Sequence, residues 1–173
     1  MDPLLAANRL PKLAERAMRA AVLTAVEQRK MTPRALVNDA LIRFERAVGR
    51  EASEGVRPSL LFAERDRIVR ELKGFIDGRL AARFAALRRR DLVSLARDAA
   101  PFDAIVRGRN GGYFGIVFRR LPSDGKRLEV LRRIRKAASA YTATPLRAVI
   151  VSDFTTGRIC RLRCGERLDS LAA

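Results

Sequence analysis

Arginine is the residue type through which this chain can do chemistry. It occurs as a run, Arg88, Arg89 and Arg90, as two pairs, Arg107 with Arg109 and Arg119 with Arg120, and, together with Lys136, as a second cluster, Arg132, Arg133 and Arg135. A guanidinium fork matches phosphate oxygens better than an ammonium does. Arginines at this density contact a row of phosphates without reading bases. Tyr113 can stack on a base, although a lone aromatic more often packs in a core.

Composition points the same way. Lys and Arg total 36 against 19 Asp and Glu, a net charge of +17. There is no histidine, so this charge barely changes between pH 5 and 8. A fold this basic repels itself unless a polyanion is near, and nucleic acid is the commonest such partner. An anionic membrane surface or an acidic protein would also serve, and a plainly solvated surface is the bland alternative. The charge lies on both parts of the chain: residues 1–100 carry a net +8 and residues 101–173 a net +9.

Several reaction classes are excluded. Without histidine there is no Ser-His-Asp or Cys-His scheme. Cys160 and Cys164 alone cannot complete a zinc site; they are expected as reduced thiols, with a disulfide the less supported alternative. Gly108, Gly111 and Gly112 do not form a P-loop, since no Gly-Lys-Ser/Thr follows, and a hairpin turn is the preferred reading. Helix-turn-helix, zinc-finger and RNP signatures are missing. No stretch approaches the ~18 apolar residues of a membrane span, and no leader peptide is expected.

The elements that must position the arginines follow from periodicity. Helices are expected over Pro11–Lys30, with Leu13, Ala17, Ala20, Ala21 and Ala25 in a stripe, and over Pro33–Val48, with Leu36, Val37, Ala40, Leu41 and Phe44, ended by Gly49. A third begins near Ser59, with Leu61, Ile68, Leu72, Phe75 and Ile76 on one face. A helical pattern continues from Leu80 to Ala99 through Phe84, Leu87, Leu92 and Leu95. Pro101 closes this part. Strands are then expected at Phe102–Arg107 and Tyr113–Leu121, joined at Asn110-Gly111-Gly112, whose residues tolerate positive φ. A basic helix over Lys126–Tyr141 turns Leu128, Leu131, Ile134 and Ala138 inward. Leu146–Ser152 reads as a buried central strand and Arg158–Arg163 as a last strand.

This order of elements, with Asp103 at the start of a strand leading into a hairpin, resembles the core of the PD-(D/E)XK nuclease superfamily across roughly residues 60–162. The resemblance implies an α/β (α+β) fold: a helical N-terminal part, then a small mixed sheet with a restriction-endonuclease-like ββαβ core. The expected division is a helical extension over 1–58 and a nuclease-like domain over 59–173. It also implies a metal site with Asp103 as the strand aspartate and Glu64 or Glu71 as the helical glutamate. The acid-x-lysine of the next strand is replaced: Val117 stands for the acid and Arg119 for the lysine. No acidic residue lies between Asp103 and Asp124, and one strand carboxylate leaves Mg²⁺ held mainly by water and substrate. The four matched positions Asp103, Glu64, Glu71 and Arg119 are thus expected to be vestigial.

The expected function is non-catalytic binding of nucleic acid, most readily DNA, by a pseudoenzyme that takes no cofactor and contacts the phosphate backbone. A cytoplasmic, nucleoid-associated location goes with that reading. Two alternatives stand beside it. One is an active Mg²⁺-dependent nuclease with relocated acids among Asp103, Asp124 and Asp153. The other is a basic assembly protein, oligomeric or docking to a protein partner through its N-terminal helices.

Overall fold

The computed structural model describes residues 3–29, 32–51, 56–78, 81, 82, 84, 89–123 and 125–164, with only the backbone of 3–8, 89 and 97. The chain is α+β and divides into two compact units, Met1–Ala86 and Leu87–Ala173.

The first unit is helical: α1 spans Pro3–Gln28, α2 Pro33–Glu51 and α3 Pro58–Ile76. In α1 the buried positions Leu10, Leu13, Ala14, Ala17, Met18, Ala21, Val22 and Ala25 recur at three and four residues, the spacing of one helix face. That stripe reaches back past Pro11, which lies inside the helix rather than at its start. Continuous packing thus offsets the hydrogen bond that an interior proline forfeits. Helix α2 begins where Leu36 N donates to Thr32 O at 3.0 Å. It does not stop at Gly49 but runs on to Glu51. Helix α3 starts at Pro58, whose fixed φ suits the first helical position. It packs on both α1 and α2, so this helix, grouped by sequence with the sheet, belongs to the helical unit.

The second unit is a five-stranded mixed sheet in the order β1-β2-β3-β4-β5. Its strands are β1 Leu92–Leu95, β2 Ala104–Arg107, β3 Tyr113–Arg119, β4 Leu146–Asp153 and β5 Ile159–Arg163. The pairs β1-β2, β2-β3 and β4-β5 are antiparallel; β3-β4 is parallel, with Gly115↔Val149 and Val117↔Val151 in register. A parallel pair needs a long crossover, which α4 (Lys126–Ala140) provides. Leu131, Ile134 and Ala138 of α4 join Phe102, Ile105, Val117, Val149, Val151 and Leu162 in one core. β4 is buried along most of its length.

Two departures from the sequence reading are instructive. Periodicity predicts a helix over Leu92–Leu95, but this segment is an edge strand, flanked by 3-10 turns at Arg89–Asp91 and Ala96–Ala99. Its pairing with β2, Leu92↔Val106 to Leu95↔Ala104, is a tertiary fact that overrides a spacing fitting either frame. The helical stripe also predicts Leu128 inward, yet it is 41% exposed. Arg127, four residues before Leu131, is half-buried, and its guanidinium approaches the buried Asp153 carboxylate at 3.8 Å.

Gly115 on β3 is tightly enclosed: a Cβ there would stand 3.0 Å from the Phe102 ring, which is itself packed edge-on against Tyr141. Gly115→Ala is expected to destabilise the sheet unit by about 1–3 kcal/mol through overpacking, read as a lower urea midpoint. An unchanged midpoint would show that the ring yields freely.

Candidate nucleic-acid interface

The candidate site can be built from Asp103 outward. Asp103 is 3% exposed. Its N–H donates to Ile116 O at 2.8 Å and its Oδ2 accepts from Phe118 N at 2.7 Å. The carboxylate thus takes a ladder bond at the point where the β2-β3 register ends, one residue beyond Ala104↔Ile116. Val117, the residue the sequence resemblance sets against a metal-binding acid, is packed into the apolar core. Among the described residues no group of three acidic, cysteine or histidine side chains is placed to hold a metal ion; Asp124 lies outside them. Glu64 and Glu71 belong to the helical unit. A solvated helix face is the ordinary expectation for both, and both are buried instead, on the same stripe as Ile68 and Leu72. Glu71 accepts from Arg67 Nε at 2.9 Å.

Asp153, one of the acids weighed as a relocated ligand, is a second buried carboxylate held by hydrogen bonds. Its Oδ1 accepts from Leu121 N at 3.1 Å and Thr155 N at 3.0 Å, and its Oδ2 from Thr156 Oγ1 at 2.9 Å. It ties the chain after β3 to the turn between β4 and β5.

The arginines fall into three places. Arg107 and Arg109 are exposed beside the hairpin. That loop is closed by Gly108 N donating to Gly112 O at 2.8 Å, with Gly111 at φ +77°. Arg119 and Arg120 are at the opposite end of β3, roughly 20 Å away at about 3.4 Å per residue; Arg119 is exposed and Arg120 half-buried. On α4, Arg132, Arg133 and Lys136 form an exposed stripe while Arg135 is half-buried; Arg133 pairs with Glu129. Arg90 is exposed two residues before β1. Arg88 lies outside the described residues, as does the side chain of Arg89. The sequence set therefore does not form one patch.

Topology builds a patch that the sequence did not suggest. The start of β1, the end of β2, the starts of β3 and β4 and the end of β5 all lie at one end of the sheet. This hairpin end presents Arg90, Arg107 and Arg109 with two residues missed in sequence, Arg147 and Arg163, all exposed. Four strand spacings of about 4.8 Å make it roughly 19 Å wide. Among the described residues, Arg107, Arg109 and Arg147 make no ion pair. At the other end of the sheet the cations sit beside the buried Asp103 and Asp153. The sheet unit holds 19 basic and 8 acidic residues, a net +11, against +6 for the helical unit. Only the β-pairing reveals that residues as far apart in sequence as Arg90 and Arg163 share one rim.

Cys160 and Cys164 are free and lean on the core beneath α4. Burial raises both thiol pKa values; Arg127 and Arg135 respectively pull them back by less. Raised values leave less thiolate at pH 8. Both thiols are expected to alkylate more slowly in the folded chain than in urea, followed by iodoacetamide labelling and mass spectrometry. Equal rates would show them fully accessible.

No helix among the described residues is long and apolar enough to cross a membrane. No protein-family model, no curated protein and no solved structure matches the chain.

Proposed function

We propose that this protein binds the phosphate backbone of nucleic acid, most readily DNA, through the hairpin end of its sheet, on a scaffold of PD-(D/E)XK type that does not cleave. The observation that carries this reading is the convergence of Arg90, Arg107, Arg109, Arg147 and Arg163 at one end of a five-stranded sheet. The outer stripe of α4, with Arg132, Arg133 and Lys136, adds a second set of cations on the same unit. An antiparallel β1-β2-β3 followed by a helical crossover to a parallel β4 is in keeping with the scaffold. The burial of Val117 where a metal-binding acid would stand supports a non-catalytic role.

A rim some 19 Å wide accommodates about four or five phosphate contacts. The logarithm of the binding constant should then fall with the logarithm of salt concentration with a slope near −4. That is a few hundredfold between 50 and 200 mM. Fluorescence anisotropy with a labelled duplex over that range reads the slope, and a flat response would sink the proposal. Incubating the same duplex with Mg²⁺ or Mn²⁺ tests the nuclease alternative. Intact DNA is expected, and Asp103→Asn should bind as the native chain does. Cleavage abolished by Asp103→Asn would reverse the reading.

A further inference from the structure

The helical unit carries a separate set of cations around a cleft. Helices α1 and α2 run antiparallel, Thr24 against Arg43 and Arg16 against Glu51, and leave a cleft of about 620 Å³ between them. That volume lies within the range of small-ligand sites. Its floor includes the buried Leu13, Ala17 and Ala47. Gly49 keeps one wall open, since nothing lies within 4 Å of where a Cβ would stand. The walls bring in four arginines, Arg16, Arg43, Arg46 and Arg50, against a single carboxylate, Glu51.

Nearby acids orient two of these arginines, Arg16 and Arg43, without neutralising the cleft. Glu51 accepts from Arg16 Nη1 at 2.9 Å. Both oxygens of Asp39 accept from Arg43 Nε at 2.9 Å, and Thr24 Oγ1 accepts from Arg43 Nη2 at 3.1 Å. Capping of the α2 C-terminus accounts for two interactions, Arg9 to Glu51 O and Arg50 Nε to Arg46 O. It does not account for four arginines lining one hollow. Forks already held lose little further freedom on binding, and with Glu51 and Asp39 set against them the four arginines keep an excess of two positive charges, the charge of two adjacent phosphodiester groups.

We propose that this cleft binds a row of two or more phosphate groups. The row can come from a free polyphosphate or from a nucleic-acid strand, and the proposal does not rest on the reading of the sheet unit. The test is calorimetric titration of the full chain with linear tripolyphosphate and, separately, with a short DNA duplex. Arg46→Ala with Arg50→Ala removes two exposed wall residues. Tripolyphosphate should bind this variant at least about tenfold more weakly, as expected when charge-assisted hydrogen bonds are removed. It should bind a hairpin-end variant, Arg107→Ala with Arg109→Ala and Arg147→Ala, as it binds the native chain. If the cleft variant loses affinity for the duplex alone, the cleft stands and its phosphates belong to a nucleic-acid strand. The proposal is overturned if neither ligand distinguishes the cleft variant from the native chain while its unfolding midpoint is unchanged. It is equally overturned if tripolyphosphate affinity falls only in the hairpin-end variant.

Discussion

Asp153→Ala is expected to cost the sheet unit about 3–5 kcal/mol, the range for removing one partner of a buried charged network. Three donors lose their acceptor at once: Leu121 N, Thr155 N and Thr156 Oγ1. The Asp153 side chain is fully buried, and water does not readily replace it. The backbone of the same residue closes the following turn, with Asp153 N donating to Arg158 O at 2.9 Å and Asp153 O accepting from Gly157 N at 2.8 Å. Losing the carboxylate therefore loosens both the entry to α4 and the β4-β5 turn. The nearby Arg127 adds little to the total, because it lies at 3.8 Å and is 39% exposed. Asp153→Asn keeps one acceptor oxygen and should fall between the two. Urea denaturation followed by circular dichroism reads the difference. A loss under about 1 kcal/mol, no more than an ordinary hydrogen bond, would mean that the network is not what holds these segments.

The contrast between Asp153 and the arginines shows where sequence reading stops. Strands β2 to β5 and helix α4 announce themselves locally. Asn110-Gly111-Gly112 marks a turn, Leu146–Ser152 is a buried apolar run, and Leu131, Ile134 and Ala138 recur at helical spacing. Helices α1 to α3 are legible for the same reason. β1 is not, because Leu92 and Leu95 satisfy a helical stripe as well as a strand, and only β2 decides between them. Leu128 is misplaced by periodicity, which counts apolar residues and cannot see that its neighbour Arg127 reaches toward a buried carboxylate 26 residues further on. Burial of Glu64 and Glu71 is hidden likewise, since charge in a sequence reads as surface unless its partner is known. Among the binding residues, Arg107 and Arg109 stand out by local density. Arg147 and Arg163 are isolated in sequence and become neighbours only through β-pairing. Conversely, Arg119 and Arg120 are close to Arg107 in sequence, yet a strand's length separates them in space.

That separation makes the binding reading sharp enough to test by position. Arg107→Ala, Arg109→Ala and Arg147→Ala together should weaken duplex binding on the order of a hundredfold at low salt, as removal of three charge-assisted hydrogen bonds would. More diagnostic is the salt dependence. Every phosphate no longer neutralised should flatten the logarithmic slope by about 0.9, so the slope should rise from near −4 to between about −1 and −2. All three side chains are exposed, so the unfolding midpoint should stay within about 0.5 kcal/mol of the native value. Net charge alone cannot produce this pattern. Removing Arg119 with two other exposed arginines far from the hairpin changes the net charge equally, and on the present reading it should move the slope by less than about one phosphate's share. If both sets of substitutions flatten the slope alike, the protein holds nucleic acid by diffuse charge and the hairpin end has no special part in it. A flattened slope confined to the hairpin-end variant would place the phosphates along that rim.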